Sequence, residues 1–172
     1  MATQTDFAKA LRVLHDGGVD YIIVGGVAAI LNGLGYTTYD LDLVYSRDRA
    51  NIQKLVRCLE PYSPYLRGAP PGLPFQFDER SVRMGLNFTL ATGLGDLDLL
   101  GEVIAIGGYT ELLPLSKEVE AFGVRCHCAD LEPLIRMKRA AGRPKDFEIL
   151  AQLQALLEER RNWPHTRPDD RK

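Results

Sequence analysis

Long apolar runs are missing from this chain. The longest, Tyr21 to Leu31, is broken by Gly25 and Gly26 and falls short of the roughly 20 residues that cross a bilayer, so no membrane span is expected. Met1 to Leu14 carries Asp6, Lys9 and Arg12 where a signal peptide needs an apolar stretch, and the expected location is therefore cytoplasmic. Cysteine is scarce as well. Cys58, Cys126 and Cys128 are an odd number, which argues against a disulfide framework. Cys126, His127 and Cys128 lack the second ligand pair of a structural zinc site, and strand alternation sets both sulfurs on one face, the pattern of small buried residues. None of Ser46, Ser63, Ser81 and Ser116 stands in a Gly-x-Ser-x-Gly elbow, while His15 and His165 fall at a helix end and in a polar tail. The net charge of -2 lacks the overall basicity of a nucleic-acid binder.

What remains is an ordinary globular composition, 45% hydrophobic and 26% charged in 172 residues, enough for one core and too short for two usual domains. Charge is uneven, because Arg136 to Lys172 holds ten Lys/Arg against six Asp/Glu while the preceding part is acidic. Phe7, Ala10, Leu11 and Leu14 predict a first helix with Thr5 as its cap, ended by Gly17-Gly18. Asp20 to Val24 reads as a buried strand running into Gly25-Gly26, with a short helix over Ala28 to Leu31. Thr38 to Tyr45 alternates an apolar set, Tyr39, Leu41, Leu43 and Tyr45, with a set containing Asp40 and Asp42. Ile52, Leu55, Val56 and Leu59 mark another helix. Glu60 to Pro74 holds five of the ten prolines and is expected to be the principal loop. Strands are predicted at Asn87–Leu90 and Asp96–Leu100, a hairpin around Gly123, a helix capped by Asp130, and a last helix over about 144–159 that presents Phe147, Leu150, Leu153, Leu156 and Leu157 to the core.

Two carboxylates at i and i+2 on a strand share a face and converge on one cation. Magnesium suits such a pair, since it takes one or two protein carboxylates and leaves other positions to water and phosphate. The preceding Gly25-Gly26 lets backbone N–H groups approach phosphate oxygens where a helix begins. Leu97-Asp98-Leu99 offers a third acid on a strand. Asp96 shares its face but follows Gly95, so Asp98 is the choice.

Gly25-Gly26, thirteen residues, Asp40-Leu41-Asp42 and then Leu97-Asp98-Leu99 resemble the signature of the DNA polymerase beta-like nucleotidyltransferase superfamily. Leu134 to Lys138 and Ala140 to Asp146 resemble the closing motif of small bacterial nucleotidyltransferase-like proteins, including toxins of the AbiEii and MenA kind. The resemblance spans about 20–155. It implies the nucleotidyltransferase fold, an α/β (α+β) mixed sheet flanked by helices with helices at the C-terminal end. The nucleotidyltransferase domain would occupy 1–160 and a polar tail 161–172. It also implies Mg2+ or Mn2+ held by Asp40, Asp42 and Asp98. A nucleoside triphosphate would bind at Gly25, Gly26 and Thr38, with Lys138, Arg143 and Lys145 offsetting phosphate charge and Asp146 completing the site or orienting those cations. A nucleoside monophosphate would pass to a hydroxyl on RNA or protein, in the toxin setting with a cognate antitoxin as partner. Many relatives carry arginine four residues before the first aspartate, where this chain has Tyr36. That departure sustains an alternative, a catalytically idle nucleotide-binding or partner-binding module of the same fold. A Rossmann site is disfavoured, because Val27 and Ile30 stand where its fingerprint needs glycine.

Overall fold

The structure is a computed structural model that describes residues 4–163. In chain order the elements are α1 (Phe7–Asp16), β1 (Tyr21–Val24), α2 (Gly25–Leu31), β2 (Asp40–Tyr45), α3 (Arg49–Leu59), β3 (Tyr65–Leu66), α4 (Glu79–Met84), β4 (Asn87–Thr92), β5 (Gly95–Leu100), α5 (Tyr109–Leu112), β6 (Ser116–Ala121), β7 (Val124–Ala129), α6 (Leu131–Ala141) and α7 (Phe147–Asn162). Seven strands form one mixed sheet in the order β3-β4-β5-β2-β1-β7-β6. β2 runs parallel to β5 and antiparallel to β1, which itself runs parallel to β7. β4–β5 and β6–β7 are antiparallel hairpins. β1, Tyr-Ile-Ile-Val, is buried along its whole length, as a continuous apolar run at the centre of a sheet should be. Helices α1, α3 and α4 pack on one another, and α2, α6 and α7 form a second group.

Several boundaries differ from the sequence expectation for identifiable reasons. Asp6, not Thr5, caps α1: its side chain accepts from Lys9 N, while Thr5 is buried, donates to Tyr39 O (2.6 Å) and accepts from Asp96 N (2.9 Å). Thr5 thereby joins the residues that open β2 and β5. Because Tyr39 O is bound this way, β2 starts at Asp40, and Tyr39 is 70% exposed rather than part of the apolar face. At the other end, Pro144–Asp146 is a 3-10 turn, and α7 begins at Phe147, which is 60% exposed. Asp146 takes the inward position there, and Leu153 carries the helix's fully buried contact. The helix runs on to Asn162, and residues 164–172 of the expected tail lie outside the described part. Two short helices, α4 and α5, had no clear periodic signal; in α4 the buried apolar contact is Val82 alone.

Of the cysteines, Cys126 and Cys128 lie buried on one face of β7 and Cys58 is half-buried on α3, all with free thiols. Burial pushes the Cys58 thiol up to about 11 and that of Cys128 to about 12, so neither is an available thiolate at neutral pH. No helix among the described residues is long and apolar enough to cross a membrane.

One buried side chain ties the sheet to α3. Asn51 Oδ1 accepts from Asp20 N (2.7 Å), and its Nδ2 donates to Asp20 O (3.0 Å) and Ser46 O (2.8 Å), joining the entry of β1 to the exit of β2. Truncating it removes three hydrogen bonds at once and leaves Asp20 N and the buried Ser46 O without the partners it supplied, while Asp20 O keeps its bond from Ser46 N (3.1 Å). Asn51→Ala should therefore lose about 3 kcal/mol of unfolding free energy in urea titration, whereas an ordinary exposed substitution costs a few tenths.

Candidate active site

The site begins where β1 stops. Val24 passes straight into α2 through Gly25, whose φ is +64°, a left-handed conformation that favours glycine. A Cβ there would lie 2.1 Å from Asp42 Oδ2, so the missing side chain is the space that the Asp42 carboxylate fills. A Cβ on Gly26 would sit 2.6 Å from Thr38 Oγ1, which donates to Asp40 Oδ1 (3.1 Å). Gly25 is thus packed under an acid of β2, and Gly26 under the threonine that precedes that strand and bonds its first acid.

Register supplies the third acid. The parallel pairing of β2 with β5 sets Asp40 beside Asp96 and Asp42 beside Asp98, and period-two alternation points all four to one face. Asp40, Asp42 and Asp98 each offer a carboxylate oxygen within 4.8 Å of the others. Burial, together with the Asp40 and Asp98 charges, pushes Asp42 up from its ordinary 3.8 to about 7, against relief from Lys138 and Arg67. Burial likewise raises Asp98, with the Arg67 guanidinium opposing. Three acids crowded this closely are a donor set that a hard divalent cation would satisfy, and all their donors are oxygens, as Mg2+ and Mn2+ prefer.

These acids line a cleft of about 1000 Å³ whose other wall is cationic. All the residues expected at the site border it: Gly25, Gly26, Thr38, Asp40, Asp42 and Asp98 on the sheet side, and Lys138, Arg143, Lys145 and Asp146 from α6 and the turn beyond. Asp146 is buried and accepts from Lys138 Nζ (2.9 Å) and Arg143 Nε (2.6 Å). Burial works against its charge, but the two hydrogen-bonded cations outweigh this and hold it below the usual carboxylate range. It stands across the cleft from the three acids and orients its two basic neighbours. Tyr36 also lines the cleft, beside Gly26.

Sequence reasoning missed Arg67. This residue of the Pro-rich segment places Nη2 2.6 Å from Asp98 Oδ1 and Nη1 3.2 Å from Asp96 Oδ2. It also passed over Asp96 because that residue follows Gly95, whereas Asp96 lies within β5 and bears half of that ion pair.

No family model and no curated protein sequence matches the chain. Solved structures do. The lincosamide antibiotic adenylyltransferase LnuA, bound to lincomycin, superposes with a TM-score of 0.60 at 16% identity over 89% of this chain and 98% of its own. ANT(2")-Ia, in complex with adenylyl-2"-tobramycin, gives 0.51 at 16% identity over 89% and 93%. The chain therefore has the nucleotidyltransferase fold.

The electrostatics of Asp42 have a measurable consequence. Between about pH 4 and pH 7 the folded chain keeps a proton on Asp42 that the unfolded chain has released, so its contribution to stability falls as pH rises through that window and then levels. In EDTA, wild type should lose stability relative to Asp42→Asn across this range, and Mg2+ should recover it for wild type only. Parallel melting-temperature profiles for the two proteins would contradict the arrangement.

Proposed function

We propose that the chain is a metal-dependent nucleotidyltransferase that moves a nucleoside monophosphate from a nucleoside triphosphate to a hydroxyl. The carrying observation is the convergence of Asp40, Asp42 and Asp98 beside Gly25-Gly26, across one cleft from Lys138, Arg143 and Lys145. The three acids would hold Mg2+ or Mn2+. A divalent ion bound there supplies electrostatic stabilisation of the attacking and departing oxygens.

The chain's own residues do the rest. Gly25 and Gly26 let Asp42 and Thr38 close against the start of α2, so that a triphosphate bound at this turn would lie beside the acids. Lys138 and Arg143, aimed by Asp146, offset the charge that gathers on the departing pyrophosphate, and exposed Lys145 extends that wall. The acceptor oxygen forms a bond to the α-phosphorus as the bond from that phosphorus to the bridging oxygen breaks. The acceptor's proton passes to one of the three carboxylates. The acceptor is a hydroxyl on RNA or on a protein, the setting of a toxin held by a cognate antitoxin, as the closing motif suggests. A small hydroxylated molecule, of the kind the two superposed enzymes bind, is the competing acceptor.

A second reading has an observation of its own. Tyr36 puts a phenol ring beside the Gly26 turn, at the position where many proteins of similar signature carry a guanidinium. It favours a module that binds a nucleotide or a partner protein without turnover.

One experiment separates these readings. The chain is incubated with Mg2+, each labelled triphosphate and, in separate arms, an RNA pool, a protein pool and a pool of small hydroxylated compounds. Pyrophosphate release with label transfer in one arm is expected, and Asp42→Ala should reduce it by about a hundredfold or more. Triphosphate binding with no release in any arm would establish the idle module instead.

A further inference from the structure

Arg67 reaches the acidic face from behind. It follows the edge strand β3, its backbone N–H donates to Thr89 O (2.9 Å), and its side chain is 27% exposed without lining the cleft. Its link to the cleft is through Asp98, the cleft-lining carboxylate to which it is bonded. Its guanidinium fork spans Asp98 and Asp96, two residues on the same face of β5, an arrangement that suits arginine and that lysine cannot reproduce. Asp42 also feels two cations, Lys138 and Arg67, but Lys138 is already hydrogen-bonded to buried Asp146. Arg67 is the cation committed to the acids themselves.

We propose that Arg67 is the resident counter-ion of the acidic face, a positioning residue that holds Asp98 toward Asp40 and Asp42 and whose charge weakens the binding of a divalent cation there. This rests on the reading of the three acids as metal ligands. The physical basis is simple. A guanidinium and a dication bound to the same carboxylate repel one another, so the charge that keeps the metal-free site assembled opposes its loading. Because Arg67 is partly solvated, that opposition is screened and moderate, which lets the cation enter while leaving affinity open to tuning at a residue outside the cleft. Asp96 keeps a hold on the guanidinium, so Arg67 retains a partner when Asp98 turns to the metal.

The test is a titration of the metal-free, full-length chain with Mn2+, followed by electron paramagnetic resonance, in wild type, Arg67→Gln and Arg67→Lys. Melting temperatures are measured in EDTA and at saturating Mn2+. Glutamine keeps an N–H donor and loses the charge, so it should bind Mn2+ about tenfold tighter, while lysine, which keeps the charge, should stay within about threefold of wild type. Arg67→Gln should also melt lower than wild type in EDTA, with the gap narrowing once Mn2+ is saturating, because tighter binding adds more stability to the folded state. Equal or weaker Mn2+ binding by Arg67→Gln, or a melting deficit that Mn2+ leaves unchanged, would overturn the proposal and reduce Arg67 to a scaffold contact. A wild-type chain that takes up no Mn2+ would overturn the metal reading, and this proposal with it.

Discussion

The parallel pairing of β2 with β5 is the constraint on which the site depends, because it forces like charges together. Leu41, Leu43, Leu97 and Leu99 are all essentially inaccessible to water, and they alternate with Asp40, Asp42, Asp96 and Asp98. A slip of one residue on either strand would bury two acids and expose two leucines, at several kcal/mol for each unpaired charge. Apolar burial therefore fixes the register, and the register fixes the carboxylates, however strongly they repel. The site is held in an unfavourable charge arrangement by a core that has no other packing available.

Such an arrangement persists only if the surroundings limit the cost. The chain does so on two sides with different chemistry. Behind the acids, Arg67 brings a cation from the sheet edge and pairs with both acids of β5. Across the cleft, Lys138 and Arg143 are bound to an anion of their own, Asp146, so that they face the cleft without collapsing onto Asp40 and Asp42. Buried Asp146 works as a spacer of charge. It keeps positive and negative walls apart, leaving between them a space in which a polyanion and a dication together would neutralise both.

The legible part of the molecule was that governed by local period. Asp40 and Asp42 on one face, the strand ending at Gly25-Gly26, the hairpins and the helix capped by Asp130 all follow from spacing and turn chemistry, and the structure shows each. What escaped was set by distant neighbours. Thr5 looked like a cap because of its place before a helix, yet its hydroxyl is engaged 34 residues away at Tyr39 and 91 away at Asp96. Arg67 sits among prolines, with no period to mark it, and its partner lies 31 residues on. Phe147 had the spacing of a core residue, but the buried position went to a charged neighbour whose two hydrogen bonds no propensity scale anticipates. Asp98 and Asp96 lie on the same strand face, and what separates them is that Asp98 pairs with Asp42, next to the glycine turn, and converges with Asp40 and Asp42, while Asp96 pairs one step further out.

The same division explains why the acid-bearing half of the cleft is easier to read than the wall beyond it. Beyond Asp98 the wall continues through Leu100, Glu102, Val103 and Ile104, leaving β5 for an irregular segment with no alternation to exploit. That segment is nonetheless held. Asn87 Oδ1 accepts from Gly101 N (2.9 Å), Val103 bridges Gly107, and Arg136 of α6 donates to Ala105 O (2.8 Å), where Ala105 takes a φ of +67°. Arg136 stands two residues before Lys138 on the same helix, so α6 anchors the irregular wall while carrying a cation of the opposite one. A strand must keep its acids where the core puts them, whereas a loop pinned at three points can change every side chain between the pins. Elements that carry the acids are thus bound by register, and the segment beyond them is bound only by its ends, which is where chains of one fold at 16% identity have freedom to differ.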